Sequence, residues 1–182
     1  MNLPNLLTMS RIVMIPVFVG VFYLPMEWSL LVSAAIFALA GITDWLDGYL
    51  ARRLNQSTPF GAFLDPVADK LMVAVALTVL IEAYSAVLLT IPATIIIGRE
   101  IVISALREWM AEIGSRASVA VSYIGKIKTT AQMVAIVGLL AFPPGHLLAY
   151  VSIGLLYIAA GLTLWSMLLY LQAAWPDLFP RD

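Results

Sequence analysis

A chain of 182 residues that is 62% hydrophobic and only 12% charged, with a mean hydropathy of +0.97, lies outside the composition of soluble globular domains. Each membrane crossing takes roughly 20 mostly apolar residues, so the length admits a single membrane domain over residues 1–182 and no second one. A net charge of −1 supplies no field for nucleic acid, and the absence of cysteine excludes disulfides, thiolate metal sites and a thiol nucleophile.

The opening stretch MNLPNLLTMSR has no basic run and no small-residue cleavage site, so it reads as mature chain rather than a cleaved signal. Asn2, Asn5 and Thr8 alternate with leucines, which predicts a short interfacial helix before the first span. Apolar runs separated by turn residues then predict six transmembrane helices over 9–24, 29–54, 59–81, 87–111, 124–142 and 147–171. The runs are too long for tilted strands and do not alternate, so the expected fold is an all-α integral membrane protein. The lone His146 stands in a loop beside Pro143, Pro144 and Gly145, with no ligand partner nearby in sequence. Trp28, Trp165 and Tyr170 read as interfacial anchors or packing.

Arg11, Arg52, Arg53, Arg107, Arg116, Lys126, Lys128 and Arg181 fall at or near alternate ends of these spans, while Lys70 and Arg99 lie deeper. The opposite loops, around Pro25, Ala83 and His146, hold no lysine or arginine. The positive-inside bias therefore places both termini, and the loop after the second span, in the cytoplasm.

That loop joins the densest charge in the chain. Asp44, Asp47, Gly48 and Ala51 share one face of the second span, at offsets of three, four and seven, and Gly61, Asp65 and Asp69 share one face of the third, at offsets of four. The intervening NQSTP reads as a tight turn that would make the two helices antiparallel neighbours. Asp44 then lies roughly 15 Å from the helix end near Leu54, where an unpaired carboxylate costs several kcal/mol. Local readings exist for single residues: Asp65 before Pro66 could cap a restarting helix, Asp69 could pair with Lys70, and Gly48 could be a helix packing site. Taken together, the four carboxylates, lacking any histidine or cysteine partner, suit Mg²⁺ or Mn²⁺, and a pair of such ions suits phosphoryl chemistry.

These residues carry a resemblance. Asp44, Asp47, Gly48, Ala51, Arg52, Gly61, Asp65 and Asp69 fit without departure the D-x-x-D-G-x-x-A-R and G-x-x-x-D-x-x-x-D pattern of the CDP-alcohol phosphatidyltransferases. NLPNLLTMSR, REIVISALREWMAE and SYIGKIKTTAQMVA extend the similarity along nearly the whole chain, toward members whose acceptor is glycerol 3-phosphate. The resemblance implies a six-helix fold, a homodimer, and a cytoplasmic cavity in a bacterial inner membrane that holds two divalent ions. It implies that Asp44, Asp47, Asp65 and Asp69 bind metal, that Asp69 is also the catalytic base, and that Gly48, Ala51, Arg52 and Gly61 lie against CDP-diacylglycerol. The implied products are phosphatidylglycerophosphate and CMP.

Small residues at Gly48, Ala51 and Gly61 would let a nucleotide approach the helix backbones, and Arg52 could grip a phosphate with both nitrogens. Glycerol 3-phosphate brings its own dianion, for which Arg116, Lys126 and Lys128, with Arg107, are the expected partners; the positive-inside bias or anionic lipid would account for the same residues. Arg99 and Glu100 lie within the fourth span and need partners: Arg99 could meet a motif aspartate or the acceptor phosphate, and a structural ion pair would serve equally. Two other functions compete. One keeps the chemistry with another acceptor alcohol, such as serine, inositol phosphate or choline. The other is a divalent cation transporter, disfavoured because the non-cytoplasmic halves of the spans carry little polar lining and no inverted repeat.

Overall fold

The computed structural model describes residues 3–54, 59–114 and 123–178. All regular structure among them is helical: α1 Leu3–Phe22, α2 Ser29–Leu54, α3 Pro59–Tyr84, α4 Val87–Glu112, α5 Tyr123–Ala141 and α6 Leu147–Leu178. The expected bounds hold closely from α2 to α5, and α6 runs on past 171 to Leu178. The separate interfacial helix is corrected: α1 is continuous from Leu3. Pro4 falls in its first turn, where a missing N–H costs nothing, and no breaker follows until Pro16, which the helix absorbs.

Neighbouring helices close a ring in the order α1, α2, α5, α6, α4, α3, with α3 also touching α2 and α5 across the middle. Among the described residues direct contact between α2 and α3 is slight, and α1 packs along both; the predicted turn between them, residues 55–58, lies outside the described residues.

The apolar core occupies one half of this ring. Phe18 late in α1, Phe37 early in α2, Leu77 and Leu80 late in α3, Leu89 and Ile96 early in α4, Ile136 and Leu139 late in α5 and Leu156 in α6 are all buried together. Since the chain alternates direction at each connection, these positions come to the same end of the bundle. Tight links close that end. Ser85, in the left-handed region at φ 44°, joins α3 to α4, and its Oγ donates to Glu82 O at 2.7 Å. Tyr84 Oη reaches Phe142 O at 2.8 Å and Leu139 O at 3.1 Å, satisfying carbonyls that the end of α5 leaves open. His146 stays in its loop, stacked on Phe142 with its Nδ1 accepting from the Leu148 N–H at 3.2 Å, so it caps the start of α6.

The outer surface is apolar. Val13, Ile42, Ile101, Val134, Val151, Trp165 and Leu168 are all exposed, a pattern that water would penalise and lipid would not. Asn5–Phe22, Val87–Glu112 and Leu147–Trp175 are long and apolar enough to cross a membrane, and Ser29–Asp44 and Ile127–Ala141 are shorter apolar segments.

Gly138 on α5 packs tightly against Ser152 on α6. A Cβ there would collide with Ser152 Oγ and stand 3.2 Å from Ser152 Cβ. Gly138→Leu is therefore expected to destabilise the detergent-solubilised protein by about 1–3 kcal/mol, with partial recovery on adding Ser152→Gly; thermal unfolding of the three proteins checks this.

Candidate active site

The other half of the bundle holds the charge. Arg11, the only charged residue in α1, is buried at 1% exposure and reaches two helices at once. Its Nη1 donates to Asp44 Oδ1 on α2, and its Nη2 donates to Asp65 Oδ1 on α3 at 2.5 Å. The planar guanidinium suits this fork, because its terminal nitrogens can serve two carboxylates at once. Asp65 is therefore not an N-cap: α3 runs unbroken through Pro66, and the carboxylate turns inward to Arg11.

Asp69, one turn beyond Asp65, borders two spaces. On one side is a small void shared with Arg11, Phe37, Gly41, Met72 and Met133. On the other is an open cavity of about 240 Å³ walled by α3, α4, α5 and α6. Lys70, Arg99, Glu100, Arg107, Lys128, Gln132, Ser166 and Tyr170 contribute its polar lining, so Asp69 stands between the Arg11 carboxylates and a basic chamber.

Inside that chamber the cations are tethered. Arg99, 9% exposed, donates from Nη1 to Glu100 Oε1 at 2.9 Å and from Nη2 to Ser166 Oγ at 3.1 Å. The buried Lys128 Nζ donates to the same Glu100 oxygen at 3.4 Å. Arg107 donates from Nη2 to Tyr170 Oη at 2.6 Å, with its guanidinium carbon 4.9 Å from the ring centroid. Arg99 thus pairs with Glu100, the structural ion pair that the sequence left open beside a motif aspartate or the acceptor phosphate. Tyr170 faces the cavity and holds a cation, a role beyond the interfacial anchor or packing expected of it.

The structure brings together Asp44, Asp65 and Asp69 of the predicted acidic set, and Arg107 and Lys128 of the predicted basic set. Gly61 lies one turn before Asp65 on α3. The side chains of Asp47, Ala51, Arg52 and Lys126, together with Gly48 and Arg116, lie outside the described residues. Arg11, Gln132, Ser166 and Tyr170 are additions to the set. Arg11 had a signal, as a lone cation in an otherwise uncharged run; the others are polar residues in apolar helices whose direction only packing reveals.

Residues 1–169 match the family model described as CDP-alcohol phosphatidyltransferase. A protein of Salmonella paratyphi A named "CDP-diacylglycerol--glycerol-3-phosphate 3-phosphatidyltransferase" is 61% identical over 180 residues, covering 99% of this chain and 98% of the relative. Proteins of the same name from Shigella flexneri serotype 5b and Escherichia coli K12 are each 60% identical with the same coverage. The chain belongs to the CDP-alcohol phosphatidyltransferase family, and is an enzyme of that class.

Glu100 neutralises two buried cations, so removing its charge leaves both without compensation. Glu100→Gln is expected to destabilise the protein by about 1–3 kcal/mol, less than a fully buried pair would cost because Glu100 is partly exposed. Arg99→Gln combined with Glu100→Gln should cost less than the sum of the single changes, by a coupling of roughly 0.5–3 kcal/mol in a double-mutant unfolding cycle.

Proposed function

We propose that this protein transfers the phosphatidyl group of CDP-diacylglycerol to sn-glycerol 3-phosphate, releasing phosphatidylglycerophosphate and CMP, as the names of its relatives describe for them. One observation carries this reading. Asp69 lies between two carboxylates gathered on a single cation and a chamber lined by Arg99, Arg107 and Lys128, an order that matches a diphosphate donor on one side and a phosphorylated acceptor on the other.

The donor set fits a divalent metal. Oxygens from two helices already converge on one positive group, and the carboxylates have no imidazole or thiolate among them, which favours a hard cation. Among the described residues no three such side chains form a ready ligand set; Asp47 is the further ligand that the motif supplies. Asp44, Asp47, Asp65 and Asp69 would hold two Mg²⁺ or Mn²⁺ ions. When bound, the ions would neutralise the diphosphate and stabilise the charge on departing CMP.

The chain's own groups do the rest. Gly48, Ala51 and Gly61 leave room for the cytidine nucleotide beside the helix backbones, and Arg52 pairs with its phosphate. Arg107 and Lys128, joined by Arg99 and by Arg116 and Lys126 from the neighbouring segments, hold the acceptor dianion. Asp69 takes the proton of the acceptor hydroxyl as its oxygen bonds to the lipid-linked phosphorus and the bond from that phosphorus to CMP breaks. Four cations around one cavity, Lys70, Arg99, Arg107 and Lys128, favour glycerol 3-phosphate over a zwitterionic acceptor such as serine. All six helices cross the bacterial inner membrane, with both termini and the site on the cytoplasmic side, as the bias of basic residues supports, and two copies form a homodimer.

CMP release by purified protein supplied with Mn²⁺, CDP-diacylglycerol and a panel of acceptors tests this reading. Asp69→Asn is expected to slow turnover by about 10²–10⁴-fold in folded protein. Lys128→Gln and Arg107→Gln should raise KM for glycerol 3-phosphate far more than KM for the lipid donor. Undiminished turnover by the Asp69 variant, or equal rates with serine, would refute it.

A further inference from the structure

We infer that Arg11 is an internal counter-cation that occupies the acidic site in the ion-free protein and must release at least one carboxylate when a divalent ion enters. The inference rests on the metal reading of Asp44 and Asp65 proposed above. Its starting point is geometric. Arg11 is the largest charged side chain to be fully buried, and it contacts one oxygen of each of two carboxylates from different helices. Those two oxygens converge on one positive centre, the arrangement a bridging ion also requires. A guanidinium fork and a metal ion cannot both take the same lone pairs at full strength, because each needs its ligand oxygens at close range.

The physical reason for such a residue lies in the membrane setting. Without a cation, the partly exposed Asp44 and Asp65 would repel each other across α2 and α3, which favours opening one helix from the other. Among the described residues direct contact between those helices is slight, and the packing of α1 on both is what opposes the opening. Arg11 supplies a permanent positive charge from α1, which packs on both. Arg11 and Asp69 line the same small void of about 10 Å³, so a carboxylate that can share the displaced charge stands close by. Divalent binding then becomes an exchange, and its apparent affinity is lowered by the fraction of molecules in which Arg11 holds the site.

Mn²⁺ binding to the full-length protein in detergent, followed by the electron paramagnetic resonance of free Mn²⁺, tests the exchange. Arg11→Met is expected to bind Mn²⁺ at least about tenfold more tightly than wild type. Its melting temperature should fall in chelator and recover in Mn²⁺, so that metal stabilises the variant more than the wild type. Arg11→Lys, which keeps a charge but lacks the fork, should fall between the two. Unchanged or weaker Mn²⁺ binding in Arg11→Met overturns the inference while leaving the metal reading intact; no Mn²⁺ binding by either protein overturns both. Should the variants fail to fold, a structure of wild type with Mn²⁺ decides: loss of one of the two Arg11 contacts supports the exchange, and retention of both within about 3.2 Å overturns it.

Discussion

A guanidinium buried inside an apolar bundle is tolerated only when negative charge meets it, and the fork of Arg11 on the partly exposed Asp44 and Asp65 is where this chain meets that requirement. Three helices depend on it. α1 carries the cation, α2 and α3 carry one carboxylate each, and the two acidic helices touch each other little. The fork therefore does for the polar half of the bundle what Phe18, Phe37, Leu77 and Leu80 do for the apolar half. It gives α1 a reason to lie between its neighbours at both ends.

Charge on the described side chains divides sharply across Asp69. Toward α1 and α2, Asp44, Asp65 and Asp69 outnumber their one guanidinium; toward α4, α5 and α6, Arg99, Arg107 and Lys128 outnumber Glu100. A uniform surplus of either sign would be costly at this depth, but adjacent opposite surpluses attract across the short distance between them. The division also sorts ligands. Under the proposed function, cations would be drawn to one side and a phosphate dianion to the other, with Asp69 where the two would meet.

Most of the architecture was legible from periodicity, since long uninterrupted apolar runs in lipid leave the backbone no alternative to helix. Bounds such as those of α2 could be read from Ser29 and from the polar turn after Leu54. The start of α1 was harder, because Asn5 and Thr8 resemble an interfacial segment although nothing between Leu3 and Pro16 breaks the helix. Spacing likewise placed Asp65 and Asp69 on one face of α3. It could not place Arg11 between Asp44 and Asp65, because pattern reports which residues share a face and not which helix sits opposite. An arginine near a helix end also satisfies the positive-inside bias, so its burial carried no separate signal. Arg99 and Glu100 were legible as residues needing partners, yet Ser166 and Lys128 come from α6 and α5, and only the ring order of helices brings them together.

Both halves of the site solve the burial of charge in the same way, with one side chain of the minority sign shared between two of the majority. Arg11 spans two carboxylates, and Glu100 Oε1 accepts from Arg99 and Lys128. The bundle can thus fold with its charges compensated before any ligand arrives, which a cluster of bare like charges would prevent. The consequence falls on binding. A ligand entering either half replaces an interaction already made, so only the surplus of the new contacts over the old appears as affinity. Such a site binds its partners more weakly than the count of charges suggests, and a weakly held product leaves without a large barrier. Internal compensation therefore serves folding and turnover through the same side chains.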